Sequence, residues 1–359
     1  MKTSHRFRSI FTCFTPLSFK SLLFVSLLFF LSLDSRAQCD MTAGPDKIIQ
    51  YSDHTRLNAL PQLKSTWKEL PKATTNLYLD ACYVTDTSMI VVGNQGTILK
   101  YNRENWQQIP TGITFPINAV DFYDDMNGIA VGMNDVILKT TDGGNTWNQI
   151  ASETGFSFVT VQCISAQSII AGGYRLVSGK PVQNGILKST DGGNHWELIG
   201  EIPGGRISSI DFVNTALGFA CTYSNGVFKT IDGGNNWQKL STELINLSPN
   251  YHAIKAVSAQ VIFAVGNQGA VLKSDDSGEN WMQINPFYVE LNTFNNKKLI
   301  DTQMASFESI LCNSAEDVMI SGYLGSERIG FILKWNPEGE YWVEEKVIAG
   351  VKPRLTGMI

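Results

Sequence analysis

Short apolar runs that end in a lysine recur along the chain, and turn-forming residues follow most of them at once. The copies are ILK at 98–100, 137–139, 186–188 and 332–334, VFK at 227–229 and VLK at 271–273. A tryptophan comes after each turn and opens a run of mixed polar and apolar residues. Apolar, β-branched runs bounded by Asp, Gly and Asn are typical of strands that a tight turn joins into a hairpin. The pattern therefore predicts a chain built from repeated β-hairpins.

The tryptophans measure the length of the repeat. They are Trp67, Trp106, Trp147, Trp196, Trp237, Trp281 and Trp342. Most of them lie about 40 to 45 residues apart, which is the length of a four-stranded propeller blade. In one repeat, strand A spans 207–212, strand B spans 218–221, strand C is the apolar-lysine run and strand D begins at the tryptophan. We predict an all-β fold without helices, a β-propeller of four-stranded blades that forms one domain over 62–359.

Counting the repeats gives six complete units and two remnants. The complete units run 68–106, 107–147, 148–196, 197–237, 238–281 and 282–342. Trp67 is a strand D with no strands A to C before it, and 355–359 resembles the first half of another strand A. Propellers usually close by pairing terminal strands, because closure removes exposed strand edges. We therefore predict six complete blades plus an incomplete seventh.

One octapeptide carries the chemistry of the turn between strands C and D. It reads TTDGGNTW at 140–147, STDGGNHW at 189–196, TIDGGNNW at 230–237 and SDDSGENW at 274–281. The Asp carboxylate can accept backbone N–H bonds, the glycines allow positive φ, and the Trp offers a large apolar body to a neighbouring unit. We assign a structural role to Asp142, Gly144, Trp147, Asp191, Gly193, Trp196, Asp232, Gly234, Trp237, Asp276, Gly278 and Trp281.

A calcium loop is the rival interpretation of these turns. An EF-hand loop needs oxygen ligands at alternate positions and a late bidentate Glu, and the octapeptides have neither. No Ser-His-Asp, Cys-His, P-loop or zinc spacing stands out among only four histidines. We therefore predict no metal and no cofactor.

The pattern Ser/Thr-x-Asp-x-Gly-x-x-Trp is the Asp-box, or BNR repeat. Its copies here resemble those of the photosystem II stability/assembly factor family, whose repeats carry Val-Gly, Gly-x-Ile-Leu-Lys-Thr and the Asp-box in this order. That order appears as VGNQGTILK at 92–100 and VGNQGAVLK at 265–273. The resemblance covers about residues 62–342 and implies a β-propeller with seven blade positions. Asp-boxes also occur in sialidases, xyloglucan-active glycosidases and sorting receptors, so the resemblance leaves the function open.

The first 37 residues have the pattern of an export signal. A basic start precedes an apolar run at 21–33, which is too short to span a bilayer comfortably, and 35–37 form a small-x-small cleavage site. We predict a signal peptide at 1–37, an N-terminal segment at 38–61 and an exported mature chain that is secreted, periplasmic or at the cell surface. No membrane span is expected after cleavage. An uncleaved anchor and a lipoprotein modified at Cys39 are the alternatives.

The charge balance bears on the partners. Removing the signal's five basic residues and one acidic residue leaves 23 basic and 32 acidic residues, a net charge of −9. An acidic surface disfavours nucleic acid and anionic membranes as partners. The five remaining cysteines include Cys82, Cys163, Cys221 and Cys312, which fall in apolar strands of different repeats. We predict small, buried thiols there because residues on separate blades rarely come within disulfide reach.

Loop lengths predict which face of the propeller binds a partner. The Asp-boxes mark the bottom face, and the B–C and D–A loops share the top face. Long insertions fall in B–C loops at 173–185 and 322–330 and in D–A loops at 241–252 and 285–306, all on the top face. Tyrosine and arginine are frequent anchors of binding surfaces, although tyrosines can also simply cap a blade. The predicted binding residues are Tyr174, Arg175, Tyr223, Tyr251, His252, Tyr288, Tyr323 and Arg328.

The leading functional interpretation is an exported, non-enzymatic propeller that binds a protein or a glycan through its top-face loops. A photosystem-assembly-factor-like chaperone, which the resemblance implies, is the first alternative. A glycoside hydrolase is the second. The Phe/Tyr-Arg-x-Pro motif of sialidases is absent, although Arg175, Arg206 and Arg328 could share the top face. A xyloglucan-type glycosidase needs two carboxylates across a cleft, but Asp121 and Asp211 fall at one repeated position in strand A, which indicates a repeat feature.

The signal peptide gives the first testable prediction. We expect cleavage after Ala37, because the basic start, the short apolar run and the small-residue site occur in the order that signal peptidase requires. The intact mass of the protein purified from outside the cytoplasm should match a chain that begins at Gln38. A mass that retains 1–33, or one that carries a lipid at Cys39, would contradict the prediction.

Overall fold

The computed structural model describes most of the repeat region and little of what precedes it. The described residues are 47–50, 56–59, 76–85, 87–102, 105–177, 180–242, 250–284, 288–293, 296–312, 314–324, 329–337 and 341–349. The predicted signal peptide, Trp67 and 355–359 lie outside these ranges, so cleavage and the incomplete seventh blade remain predictions. Helical structure in the described residues amounts to two single 3₁₀ turns, Asn94–Gly96 and Thr302–Met304.

Six antiparallel sheets of four strands form the blades, and each blade's strands A to D follow one another in chain order. A hairpin of β1 (Lys47–Gln50) and β2 (Arg56–Ala59) precedes them. Blade 1 contains β3 (Tyr78–Thr85), β4 (Ser88–Gly93), β5 (Ile98–Asn102) and β6 (Asn105–Ile109). Blade 2 contains β7 (Ile117–Phe122), β8 (Gly128–Gly132), β9 (Ile137–Thr140) and β10 (Asn148–Gln149). Blade 3 contains β11 (Ser157–Cys163), β12 (Ile169–Val177), β13 (Lys180–Ser189) and β14 (Glu197–Glu201).

The second half of the chain repeats this order with one addition. Blade 4 contains β15 (Ile207–Phe212), β16 (Gly218–Thr222), β17 (Gly226–Thr230) and β18 (Gln238–Lys239). Blade 5 contains β19 (Tyr251–Ala256), β20 (Ile262–Gly266), β21 (Val271–Ser274) and β22 (Met282–Gln283). An extra hairpin follows, β23 (Tyr288–Thr293) with β24 (Asn296–Asp301). Blade 6 contains β25 (Ala305–Cys312), β26 (Val318–Leu324), β27 (Ile329–Asn336) and β28 (Tyr341–Ala349).

The six blades form the predicted β-propeller. Strand A of each blade packs against strand A of the next, from β3 against β7 through to β19 against β25. Strand B is buried along its whole length in blade 2, as GIAVG, and in blade 5, as IFAVG. Neighbouring blades cover both faces of this strand, which explains why its sequence is continuously apolar rather than alternating. The cores therefore lie between blades, as in the cluster that joins Ile90 and Val92 to Val120 and Leu138.

The Asp-box turns are held by one hydrogen-bond pattern, which blade 2 shows in full. Thr140 Oγ1 donates to Asp142 Oδ1 over 2.8 Å and accepts from the Gly144 amide over 2.9 Å. The same carboxylate accepts the amide and the hydroxyl of Thr146, over 2.9 and 2.6 Å. Gly144 has a φ of 82°, which a side chain would strain. The equivalent Ser/Thr–Asp bonds of blades 3, 4 and 5 are made by Asp191, Asp232 and Asp276.

The Asp-box tryptophan is a wedge between two blades. Trp147 lies in the core between blades 1 and 2, where its ring meets Phe122 edge-on at 5.8 Å. Trp196 lies likewise between blades 2 and 3, and its Nε1 donates to Gly193 O over 3.1 Å. The Trp196 indole is thereby fixed by its own turn, and the apolar surface of both tryptophans packs against the preceding blade.

The lysine that ends strand C reaches the Asp-box of the next blade, a role that the sequence pattern did not reveal. Lys100 Nζ donates to Gly143 O and to Asn145 Oδ1, each over 2.8 Å. Lys139 Nζ donates to Asn194 Oδ1 over 2.9 Å, and Lys229 meets Glu279 at the same place over 3.4 Å. Burial lowers the pKa of Lys100, although the Asp142 charge opposes this. The apolar-lysine run and the Asp-box are therefore two halves of one contact between blades.

Two of the long loops that the sequence predicts are structured. The insertion at 173–185 extends strands B and C of blade 3 into a long hairpin, β12 with β13, and is not an irregular loop. The insertion at 285–306 contains the hairpin β23–β24, which packs beside β28. Both insertions lie on the predicted top face. The four described cysteines are free thiols, with Cys163, Cys221 and Cys312 buried and Cys82 partly buried.

Asp142 supplies a prediction about stability and pH. Burial raises its pKa, but the hydrogen bonds from Thr146 and Thr140 outweigh burial and lower the pKa to about 2. Asp142→Asn should therefore reduce the free energy of unfolding at neutral pH by about 1–2 kcal/mol, because charge-assisted bonds are lost. The advantage of the native carboxylate is present above an unfolded-state pKa of about 3.9 and is lost as the pH falls towards the folded-state value.

Urea unfolding followed by tryptophan fluorescence, repeated from neutral to acidic pH, measures this difference. The control is Thr141→Ala, because Thr141 is an exposed residue of the same turn. That substitution should change stability little at any pH. A difference between Asp142→Asn and the native protein that stayed constant on acidification would show that the carboxylate charge is not responsible.

Candidate functional site

The antiparallel order of the strands divides the connections between two faces. The A–B turns and the Asp-box C–D turns share the bottom face, where the Gly143 amide donates to Met126 O over 2.8 Å and joins the two turns of blade 2. The B–C turns and the D–A connections share the top face. Lysines and Asp-boxes occupy the bottom face with contacts between blades, whereas the top face carries the long insertions.

Every strand A of the six blades has a bulge near its top end. The register shifts between Tyr78 and Asp80, Ile117 and Ala119, Phe158 and Thr160, Ile207 and Ser209, Tyr251 and Ala253, and Phe307 and Ser309. A bulge inserts one residue into a strand and turns its side chain in a new direction. The residues at this equivalent position, here called the bulge residues, are Leu79, Asn118, Val159, Ser208, His252 and Glu308.

Three bulge residues tie their blade to the next one. Asn118 Nδ2 donates to Phe158 O over 2.6 Å, and Ser208 Oγ donates to Tyr251 O over 2.7 Å. His252 Nδ1 lies 3.1 Å from Phe307 O. In each case the acceptor is the carbonyl just before the bulge of the following blade. An amide, a hydroxyl and an imidazole therefore fulfil the same bridging role.

A second set of side chains lies deeper on strand A. It shows why an aspartate recurs at one position of the strand, as Asp121 and Asp211. Asp121 accepts the amide of Cys163 over 2.7 Å, and Asp211 accepts the amide of Ala256 over 2.7 Å. Asp211 is also paired with Lys255 over 3.2 Å. Both carboxylates are buried and bind the backbone of the next blade, so they serve the repeat, as their common position in strand A indicates.

Arg206 and Arg175 lie on the top face beside aromatic rings. The Arg206 guanidinium sits 4.7 Å from the centre of the Tyr174 ring, and the Arg175 guanidinium sits 5.3 Å from that of Phe156. Both arginines are exposed, whereas Tyr174 is 7% exposed and supports Arg206 from below. Stacking on an aromatic face leaves the N–H edges of a guanidinium available to donate, and Arg175 Nη2 donates to Gln183 Oε1. Tyr174 therefore contributes mainly as a platform.

Tyr223 and His252 continue this surface across blades 4 to 6. The Tyr223 amide donates to Arg206 O over 2.9 Å, and the Tyr223 ring lies 5.3 Å from the His252 ring. His252 Nδ1 is 3.2 Å from Glu308 Oε1, with both side chains 12% exposed. Ser306 Oγ donates to the same carboxylate over 2.5 Å. Side-chain contacts thus join Arg206 to Tyr174, and join Tyr223 through His252 to Glu308, while the backbone hydrogen bond from Tyr223 to Arg206 links the two groups. We call Tyr174, Arg206, Tyr223, His252 and Glu308 the top-face row.

The remaining predicted residues differ in what they can offer. Tyr251 is 2% exposed and packs in the core between blades 4 and 5, so its side chain cannot present a binding surface. Tyr323 is partly exposed on β26, opposite Ser306 of β25. Tyr288 begins the hairpin strand β23, and Arg328 lies outside the described residues. The revised candidate set replaces Tyr251 with Arg206 and Glu308.

Sequence reasoning missed several residues of this surface. Arg206 and Glu308 were absent from the predicted set because neither belongs to a repeated position with a recognisable residue type. Phe115 and Met304 are large apolar residues exposed in the D–A connections that lead into blades 2 and 6. Large apolar side chains exposed on one face are common at binding surfaces. The sequence could have indicated Phe115 and Met304 as surface residues of the top face, because each lies just before a strand A.

The described residues were compared with the patterns of a metal site and of a membrane-spanning helix. No cluster of three or more His, Cys, Asp or Glu side chains suited to a metal ion occurs among the described residues. Within those ranges, no helix is long and apolar enough to cross a membrane.

Parts of the sequence are similar to a known protein family and to one of its members. The family model of the photosynthesis system II assembly factor YCF48 matches residues 100–205. A photosystem II assembly lipoprotein Ycf48 from Prochlorococcus marinus (strain NATL2A) is 50% identical over 46 residues. That match covers 12% of this chain and 14% of the relative, so it spans a small part of both proteins.

Solved structures share the fold at low sequence identity. A structure of YCF48 bound to D1 peptide matches with a TM-score of 0.56 and 17% identity, covering 84% of each chain. The GH74 enzyme of Niastella koreensis matches with a TM-score of 0.57 and 16% identity, covering 75% of this chain and 45% of that one. The WD40 propeller domain of Doa1 matches with a TM-score of 0.52 and 12% identity, covering 86% of this chain and 87% of that one. The chain is an Asp-box β-propeller that resembles the photosystem II assembly factor family.

Proposed function

We propose that the chain is an exported, non-enzymatic scaffold that binds a segment of a partner protein on its top face. The observation that carries the proposal is the top-face row, in which Arg206, Tyr223 and His252 adjoin one another at blades 4 and 5. Aromatic and arginine side chains on a rigid support are the residue types that dominate binding energies. Two members of the row lie on strand A, His252 on β19 and Glu308 on β25, and Tyr174 lies on β12.

The use of the carboxylates supports a binding role over catalysis. Asp121 and Asp211 are occupied by backbone amides of the next blade, and a glycosidase would need its two carboxylates facing a sugar across a cleft. The GH74 structures resemble this chain at 16% identity or less, a level that speaks for the fold alone. Glu308 is the carboxylate of the row, and its contacts include His252 and Ser306.

A protein partner is favoured over a glycan by the relatives. One structural relative is a YCF48 bound to D1 peptide, and the matching family model is that of an assembly factor. A propeller whose strand-A aspartates hold its blades together, and whose top face holds an extended segment of another protein, fits an assembly or folding role. A glycan would use the same tyrosine, so it remains an outcome for the experiment to report.

Site-directed photo-cross-linking tests the proposed face. A benzophenone amino acid in place of Met304, which is 75% exposed on the top face, should capture a protein when the full chain is exported and irradiated in its host. The control position is Ile231, which is exposed on the bottom face in the Asp-box of blade 4. Adding Tyr223→Ala to the variant with benzophenone at position 304 should reduce the captured band by roughly tenfold or more, as for an anchor residue.

The bottom-face control decides the outcome. A protein band from position 231 and none from position 304 would show that the face is wrong. Shift of the band by glycosidase treatment, or release of bound sugar without captured protein, would replace the protein partner with a glycan. Hydrolysis of a sialoside or a xyloglucan fragment by the purified chain would replace binding with catalysis.

A photosystem assembly role is the second candidate, favoured by the family model match over 100–205 and by the relative bound to D1 peptide. Fluorescence polarisation of a labelled D1 peptide, titrated with the purified mature chain, tests it directly. We expect saturable binding that Tyr223→Ala weakens and Thr141→Ala leaves unchanged. Absence of saturation would remove this candidate and leave the general scaffold to the cross-linking experiment.

A further inference from the structure

His252 is the bulge residue whose chemistry exceeds what its structural role requires. Asn118 and Ser208 make the same tie to the next blade with an amide and a hydroxyl. His252 makes it with Nδ1 alone, over 3.1 Å to Phe307 O. The imidazole therefore brings a second nitrogen, Nε2, to a position where these two neighbouring repeats have none.

The surroundings of Nδ1 fix the state of the ring. Three oxygen atoms lie around it: Phe307 O at 3.1 Å, Glu308 Oε1 at 3.2 Å and Ser306 Oγ at 3.4 Å. The Ser306 hydroxyl is committed as a donor to Glu308. Nδ1 must therefore carry the proton, because an unprotonated nitrogen would face a carbonyl and a carboxylate with its lone pair. In the Nδ1–H tautomer the lone pair lies on Nε2.

Nε2 is the open side of the residue. All hydrogen bonds of His252 among the described residues run through Nδ1, and Nε2 is absent from the buried polar atoms that lack a partner. Solvent therefore reaches it. Tyr223, which is 39% exposed, has its ring centre 5.3 Å from the centre of the His252 ring, and Tyr323 lies across from Ser306 on the adjacent strand. A histidine whose Nδ1 is held by a carboxylate and a carbonyl has a fixed ring orientation, which leaves Nε2 as its remaining hydrogen-bonding atom.

We propose that His252 is a ligand-facing hydrogen-bond acceptor: its Nε2 receives an N–H group of the bound protein segment, while Tyr223 packs on the same residue of that segment. The assignment rests on the proposed function, since it names the contact through which the top-face row recognises its partner. An N–H donor suits the site because Arg206, whose backbone carbonyl accepts the Tyr223 amide, has a side chain that offers only donors. Arg206 would then donate to an acceptor of the partner, and His252 would accept from a donor of the partner at a neighbouring position.

The repeat itself supplies the variant that separates this role from the structural one. His252→Asn places the residue of blade 2 in blade 5, so the tie to Phe307 O is retained and Nε2 is removed. Its melting temperature should stay within about 2 °C of that of the parent. Ser208→Ala removes the equivalent tie between blades 4 and 5 and leaves Nε2 in place, so it should lower the melting temperature.

The probe is the benzophenone residue at position 304 of the exported full chain. His252→Asn should reduce the captured protein by roughly tenfold, the loss of about one hydrogen bond, whereas Ser208→Ala should leave the yield per folded molecule unchanged. An unchanged yield with His252→Asn would overturn the inference and leave the proposed function standing. No capture from the parent would overturn the proposed function, and the inference with it.

A measurement on the protein alone tests which nitrogen of the His252 ring carries the proton. Nitrogen-15 NMR of the histidine side chains in the mature chain, with His252→Asn to assign the signal, should show a protonated Nδ1 and an unprotonated Nε2 at mildly alkaline pH. A protonated Nε2 would overturn the inference by itself, because that nitrogen could then only donate. The cross-linking result for the native chain would be unaffected, so the two failures are distinguishable.

Discussion

The fold depends on hydrogen bonds that join one blade to the backbone of the next. Each blade is a separate sheet, so the strand ladders of the described residues do not fix its position relative to its neighbours. The apolar cores between blades are non-directional and would tolerate sliding. Asp121 bound to the Cys163 amide and Asp211 bound to the Ala256 amide remove that freedom, because each buried carboxylate meets one particular N–H group. Leaving either group unpaired would cost more than the bond contributes, which makes the register specific.

On the bottom face, charged side chains also make hydrogen bonds that join one blade to the next. The Lys100 ammonium bridges from strand C of blade 1 to Gly143 O and Asn145 of the next Asp-box, and Asp142 organises the turn that presents them. The polar side chains of Thr140, Asp142 and Asn145 in this Asp-box are hydrogen-bonded within the turn or to Lys100. Little remains there to recognise a partner. The top face is less constrained by the repeat, so its side chains and loop lengths vary from blade to blade.

Much of the fold could be predicted from the sequence because the repeat states the same strand order several times. Strand A at 117–122 and at 207–212 matches the structure residue for residue, since apolar spacing and turn residues agree there. The hairpin at 173–185 was predicted as a loop because extension of a strand beyond the repeat has no counterpart in other blades for comparison. The role of Lys100 was missed because a contact between blades joins residues 43 positions apart in the chain.

The candidate site was harder to predict, because residue type at a repeated position does not report burial. Tyr174, within β12, and Tyr223, just after β16, occupy equivalent positions of the repeat, yet Tyr174 is 7% exposed beneath the Arg206 guanidinium and Tyr223 is 39% exposed. Comparison of equivalent positions is more informative once the structure shows what each position must do. Where Ser208 and Asn118 satisfy the structural demand, the additional nitrogen of His252 can serve another purpose.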